Sequence, residues 1–439
     1  MHPAEFPLIA FILAFFVGVT LSIPFKMIKE KWSRVFVGLA VCFLLLLFGV
    51  QANAAAPDTI KVSAVLSLTG GMADQGVQLK EGYEILVAKV NAAGGVYVKE
   101  YGKKIPIELR VLDDESSGQK TQTQLEAANS WGAVANFGGL GCSSFEMGTP
   151  ICQKNKMTWI GPGCAGWAPH QQGNQWLFSV FTKTPGFSPM VFEMILEQPE
   201  PRPKKYAVFQ INQLDAEEAM TYWTETAKKK GGFEMVFHQK YPVGTKDFSA
   251  MITGAKAAGA EILLAYPIPP EGPAIIKQMK ELDFSPKLVH FARAPEGASF
   301  GPSLGPLADY VTLPIAWSDK YQFPENDYMI AKFKEKTGKG PDLVAGNAYC
   351  SGQILVAAIE KAGSLDKTAI RDAVKGTEMM TASGPIKFSS VGHADPKVLV
   401  IAQWFGGDRK IVYTNDFGKK FPKEVPVTPL KWMPKWSER

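Results

Sequence analysis

Residues 60–95, IKVSAVLSLTGGMADQGVQLKEGYEILVAKVNAAGG, run through strand, glycine-rich turn and helix in immediate succession. Ile60–Leu66 is a short, mostly apolar run with β-branched residues, the length and composition of a buried strand. SLTGGMADQG reads as a turn. Leu79 to Asn91 then carries apolar residues at helical spacing and stops at Gly94–Gly95, where glycine suits a helix end. The same order recurs downstream. A strand at Ile105–Leu112 ends in Asp113–Asp114, and helix follows over Lys120–Trp131. Val134–Gly138 is a short strand, Ser143–Lys154 a helix and Thr158–Ile160 a strand. Strand and helix alternating through short glycine-rich links predict an α/β fold with a doubly wound, mainly parallel sheet.

The alternation pauses at Phe178–Pro189 and restarts after the proline-rich QPEPRPKK. Strands at Tyr206–Ile211, Met235–Tyr241, Ile262–Ala265 and Leu288–Phe291 alternate with helices at Glu217–Lys230, Phe248–Ala258 and Pro273–Leu282. A second unit of this kind means a second lobe. The proline-rich tail after Phe417, with Trp432 and Trp436, is expected to be extended and to pack along the surface.

The amino-terminal stretch reads as a leader. Residues 35–50, VFVGLAVCFLLLLFGV, form an uncharged apolar run after the basic KEKWSR and before Ala52-Asn53-Ala54. These are the parts of a secretory signal, with cleavage expected after Ala54 or Ala56. An earlier apolar run, Pro7 to Phe25, has two explanations. Translation from Met27 would leave a signal of ordinary length; otherwise the run is a membrane helix. Cys42 lies inside the second apolar run rather than after it, which argues against a lipoprotein signal.

With 439 residues, 46% hydrophobic and 20% charged, the chain is long enough for two or three domains with sizeable cores. Its formal charge of +5 falls to +3 without the leader's four basic and two acidic residues. The remaining basic residues are interleaved with acidic ones and make no stripe fit to track nucleic acid. Five cysteines are too few for a disulfide scaffold. Their spacing matches neither CxxC nor paired zinc ligands.

In open α/β sheets, ligands bind beyond the carboxyl ends of strands. After Val134–Gly138 comes GLGCSSFEMG, where Ser143 or Ser144 can cap the next helix. A cap hydroxyl and the first free N–H groups would then converge on a carboxylate; the alternative is a cap with no further role. After Thr158–Ile160 comes GPGCAGW, in which Gly161, Gly163 and Gly166 match the dinucleotide pattern G-x-G-x-x-G. The strand is not the first of its unit, and no acidic residue ends a strand some 20 residues on, as that pattern requires. Gly163 is better explained as a point where backbone approaches a small ligand closely. GxSxG, HExxH and GxxxxGK[ST] are absent and the histidines are scattered, so no catalytic set, cofactor or metal is expected. Asp113-Asp114-Glu115 is expected to be a solvated strand end.

IKVSAVLSLTGGMADQGVQLKEGYE…VNAAGG, VLDDESS, FGGLGCSS, KDFSAMITGAKAAGAEILL and SGPIKF, in this order, resemble the periplasmic leucine/isoleucine/valine-binding protein family, solute receptors of ABC importers. The resemblance runs from Ile60 to about Tyr413. It implies a type I periplasmic binding fold: two doubly wound parallel-sheet lobes joined by a three-segment hinge, closing on a solute. After a leader at 1–56, the lobes would be 58–181 plus 317–380 and 182–316 plus 381–415, followed by a tail at 416–439. The family's carboxylate-binding serine falls on Cys142 or Ser143. Its carbonyl-and-threonine loop falls on Gly163, Cys164 and Ala165, so a hydroxyl is lost at Ala165. Gln75 stands where the family has a tryptophan, and Tyr266 lies near its second-lobe tyrosine. Glu296, in the retained Pro-Glu-Gly, would meet an ammonium group.

These matches imply a periplasmic, non-enzymatic receptor for an amino acid or related carboxylate, partnered with a membrane permease. A sensory subunit for a membrane kinase or chemoreceptor is the alternative, and an NAD-dependent enzyme a third. Cys142 and Cys164 would end neighbouring strands. Free buried thiols are the expected state, with a disulfide the other possibility.

Overall fold

The computed structural model describes residues 55–297 and 299–439; the leader and both explanations of residues 7–25 lie outside them. Strands follow in chain order as β1 (Ile60–Leu66), β2 (Val96–Val98), β3 (Lys103–Ile105), β4 (Ile107–Asp113), β5 (Ala135–Phe137), β6 (Thr158–Gly161) and β7 (Leu177–Ser179). After a crossing come β8 (Lys205–Ile211), β9 (Glu234–Tyr241), β10 (Ile262–Ala265), β11 (Leu288–Phe291) and β12 (Val311–Ile315). The last four are β13 (Glu378–Thr381), β14 (Gly384–Lys387), β15 (Val400–Phe405) and β16 (Asp408–Thr414).

The first sheet has the order β4-β1-β5-β6-β7, parallel throughout. The second runs β16-β15-β12-β11-β10-β8-β9. Strands β8 to β12 are parallel, and β15 and β16 add an antiparallel edge. Central strands such as β5, β10 and β11 are buried at every position. Sheets covered by helices on both faces require such unbroken apolar runs. In both sheets the first strand of the unit lies between the second and third, so each has one point where the winding direction reverses.

Helices close these faces. Ala73–Ala92 packs on Leu343–Ala362, and Gly118–Trp131 on Cys142–Lys154. Trp159 of β6 is fully buried at the centre of the first-lobe core, 4.9 Å from Phe145. Observed helices begin earlier than the apolar periodicity suggests. The first starts at Ala73 rather than Leu79, because its opening turns are polar.

The chain passes between sheets after β7, after β12 and before β15. The expected lobe boundary at 380/381 falls inside the β13–β14 hairpin, whose residues pair from Glu378↔Lys387 to Thr381↔Gly384. That hairpin is fastened to the first-lobe helix Leu343–Ala362: Ala382 N–H donates to Gln353 at 2.9 Å, and Cys350 Sγ donates to Thr381 Oγ1 at 3.3 Å. His393 bridges to Ser179 of β7. The last crossing therefore begins near residue 395. The tail packs on the second lobe, with Thr428 N–H on Ile411 O at 2.7 Å and Trp436 Nε1 on Phe284 O at 2.9 Å.

Candidate functional site

Two reversal points face one another. Loops leaving β1 and β5 diverge at the first, and those leaving β8 and β10 at the second; such divergence opens a crevice at the carboxyl edge of a sheet. Between them lies a cavity lined from both sheets. From the first sheet come Met72 and Gln75 after β1, Leu140–Cys142 after β5, and Gly163–Ala165 after β6. From the second come Asp215 after β8, Tyr266 after β10, and Arg293 and Glu296 after β11. Phe181 of the first crossing and Val344 complete the wall.

On the first-lobe side, Gly141 adopts φ 82, a left-handed conformation that starts the helix Cys142–Lys154 without a side-chain cap. The first N–H groups of a helix have no partner within it, and they carry its positive end. Gly141 N–H donates to Gly163 O at 3.0 Å, locking the β5 and β6 loops together. A Cβ on Gly163 would stand 2.4 Å from Leu140 Cδ2 and 2.9 Å from Gly139 O. The close approach at Gly163 is thus made by the chain itself. Cys142 Sγ and Cys164 Sγ are 2.7 Å apart, and both are free thiols. Lys183 Nζ donates to Cys164 O at 2.5 Å. Burial raises the Cys164 thiol, but the Cys142 hydrogen bond and Lys183 bring it below its usual value; Cys142 is raised by its hydrogen bond to Cys164 and by burial.

The second-lobe side carries the charges. Arg293 Nη1 donates to Gln213 Oε1 at 2.9 Å. Burial alone would lower the guanidinium, yet its acidic neighbours, Asp215 first, raise it above its usual value. Glu296 is pushed up to about 8, first by burial and further by Asp342 and Asp215, against the opposing pull of Arg293 and Arg409. Burial likewise keeps Tyr266 a phenol. The cleft therefore offers an uncapped helix end, the Arg293 cation, the Asp215 carboxyl group and a second carboxyl group, Glu296, that gives up its proton near neutrality.

The sequence profile of the family described as periplasmic binding protein matches residues 59–408. The chain belongs to the periplasmic binding protein family. This binding protein is 23% identical, over 380 residues, to a leucine-, isoleucine-, valine-, threonine- and alanine-binding protein of Pseudomonas aeruginosa. That match covers 85% of this chain and 96% of the relative. A Leu/Ile/Val-binding protein homologue of Brucella abortus is 25% identical over 400 residues, covering 83% and 94%. Among solved structures, a branched-chain amino acid transporter substrate-binding protein from Streptococcus pneumoniae in complex with isoleucine superposes with a TM-score of 0.72 at 17% identity. The coverage there is 81% of this chain and 99% of the other. A solute-binding protein of an ABC transporter from R. palustris, in complex with benzoate, gives 0.68 at 16%, covering 81% and 96%. The type I periplasmic binding fold expected from sequence is the fold observed.

Seven of the nine residues singled out in the sequence of this binding protein line the cavity: Gln75, Cys142, Gly163, Cys164, Ala165, Tyr266 and Glu296. The two serines do not. Ser143 is exposed, and its Oγ lies 2.7 Å from where a Gly118 Cβ would be, against the helix Gly118–Trp131. With Ser144 it borders a neighbouring part of the cleft, which shares Met72, Leu140, Gly141, Cys142, Asp215 and Arg293 with the first cavity. Ser144 is buried, its Oγ 3.1 Å from Thr121 Oγ1. Of the acidic cluster expected to be solvated, Glu115 is exposed and Asp113 partly so, but Asp114 is not. Asp114 is fully buried and accepts from Ser67 Oγ at 2.7 Å and Thr121 Oγ1 at 2.9 Å, while Asp113 Oδ1 takes the N–H groups of Leu68 and Thr69 at 2.9 and 3.3 Å. Both carboxylates hold the SLTGG loop in shape. GPGCAGW leads only to the four-residue helix Ala168–Gln171, with Pro169 inside it, so the glycine match lacks the helix a dinucleotide needs.

Arg293, Asp215, Met72, Phe181 and Val344 were not singled out. Arg293 stands three residues before Glu296, just ahead of the Pro-Glu-Gly, and a signal for it was available. A buried carboxylate at Glu296 needs a nearby cation, and Arg293 is three residues away. Asp215 and Val344 open helices whose faces sequence alone does not orient.

Proposed function

We propose that this binding protein is the solute receptor of an ABC importer, exported to the periplasm, and that it closes its lobes on a small carboxylate with an apolar body. An aliphatic or aromatic amino acid or a related acid fits this description. One observation carries the reading: residues from both lobes, seven of the nine expected ones among them, line one cavity whose walls bear opposite polarity. The helix end at Cys142 and the Arg293 guanidinium suit a carboxylate; Asp215 and Glu296 suit an ammonium or hydroxyl group; Met72, Leu140, Phe181 and Val344 suit hydrocarbon. Closure follows because only the closed form lets both lobes touch the guest. The relatives that bind isoleucine and benzoate support the chemical class.

A thermal-shift panel of amino acids, aromatic acids and small dicarboxylates, followed by calorimetry, tests the proposal. A solute that binds only the folded protein adds about 2.7 kcal/mol at a hundred times its Kd, a plain rise in midpoint. A panel in which no carboxylate moves the midpoint, while neutral sugars or cations do, would overturn it.

A further inference from the structure

We propose that Cys142 and Cys164 are a modification site: a thiol pair that closes to a disulfide across the first-lobe floor of the cleft. Three features carry this. The two sulfurs are 2.7 Å apart, so bond formation needs only about 0.7 Å of approach to the usual S–S length of about 2.0 Å. Their loops are already fastened to one another by Gly141 N–H on Gly163 O and by the Leu140–Gly163 bridge, which leaves little backbone freedom to separate the thiols. The two groups also differ in access. Cys142 is partly exposed at the cavity wall, whereas Cys164 is 1% exposed. The remaining two cysteines of the described chain lack this arrangement. Cys152 lies in the first-lobe core and Cys350 beneath the β13–β14 hairpin, each fully buried.

The oxidant is an external disulfide, RS–SR, such as oxidised glutathione or a disulfide-exchange protein of an oxidising compartment. The partly exposed Cys142 gives its proton to solvent and, as the thiolate, attacks one sulfur of RS–SR; that bond breaks and RS⁻ leaves. Cys164, as its thiolate, then attacks Cys142 Sγ, the mixed disulfide breaks and a second RS⁻ leaves. The two protons lost by the cysteines end on the two leaving thiolates. The protein pair is oxidised by two electrons and RS–SR is reduced to two RSH. The bridge ties the loop after β5 to the loop after β6, so half of the cleft is held rigid before any solute arrives.

Mass spectrometry tests this directly. The protein is exposed to oxidised glutathione, then denatured and alkylated. Expected are alkylated Cys152 and Cys350 and one linked peptide pair joining Cys142 to Cys164, all four becoming alkylated after reduction. Oxidised protein should also melt several degrees above reduced protein. Cys164→Ser should leave a glutathione adduct at Cys142, because the second step has lost its nucleophile. Four alkylated cysteines in wild type, a glutathione adduct that persists there, or a bridge involving Cys152 or Cys350 would each overturn the assignment. Should the variant fail to fold, the wild-type peptide map decides alone. None of these readouts depends on the solute.

Discussion

Glu296 sits in the cleft with its carboxyl group pushed up to about 8, from an ordinary value of 4.5. Burial is the main cause; Arg293 opposes it without winning, because Asp342 and Asp215 add repulsion. Between these two values the folded protein holds a proton that the unfolded chain has lost. The stabilising contribution is fully present below 4.5 and is lost as pH rises through about 8. The slope is at most about 1.4 kcal/mol per pH unit. Glu296→Gln keeps the neutral shape at every pH and should remove that slope. Urea denaturation of both proteins between about pH 5 and about pH 8 should show the variant gaining on wild type as pH rises. Parallel profiles would mean that Glu296 is ionised throughout. His170 and His290, buried and held below the usual histidine range, act in the opposite sense but cancel in the difference.

Helices Ala73–Ala92 and Leu343–Ala362 meet at Gly82. A Cβ there would lie 2.4 Å from Ala345 O and 3.0 Å from Ala348 Cβ. Two effects of Gly82→Ala oppose one another. Alanine favours a helix interior by about 1 kcal/mol over glycine. Over-packing costs about 1–3 kcal/mol, towards the upper end when the obstacle is a backbone carbonyl rather than a flexible side chain. The clash wins, and the variant should melt lower than wild type; an unchanged or higher midpoint would show that the helices can part without loss. Apolar spacing locates this helix from Leu79 onwards, but its partner lies more than 250 residues away in the chain and no local pattern names it. For the same reason the hairpin Glu378–Lys387 was divided between lobes. Its allegiance is set by Gln353 and Cys350 on a distant helix.

Across the whole molecule, Glu218 fastens one lobe to the other. It lies on the second-lobe helix Leu214–Lys230. Its carboxylate accepts the N–H groups of Trp167 and Ala168, first-lobe residues after β6, at 2.8 and 3.1 Å, and the hydroxyl of Thr184 at 2.6 Å. Hydrogen bonds to a charged group contribute about 1.5–3 kcal/mol. Glu218→Ala should therefore shift the empty protein towards an open arrangement. Small-angle scattering should report a larger radius of gyration without solute, and solute affinity should fall about tenfold or more, since closure must then be driven by the guest alone. Identical scattering and affinity would remove Glu218 from the closing mechanism.

The sequence by itself determined what depends on neighbours in the chain. Apolar runs of strand length, glycine at helix ends and the strict alternation of elements specify two parallel sheets and the strand-end loops where a guest can sit. Ordered motifs then marked Cys142, Gly163, Cys164 and Glu296 within those loops. Only the tertiary structure decided which atoms face the guest. Ser143 and Cys142 are adjacent in sequence, yet a helix turns successive side chains by about 100°, and that rotation sends the serine to Gly118 and the thiol to the cleft. Arg293 and Asp215 face one cavity because the loops after β11 and β8, about 80 residues apart, leave the same edge of the sheet from strands separated only by β10. Proximity of that kind is a property of the folded sheet, and it sets the charge of the site.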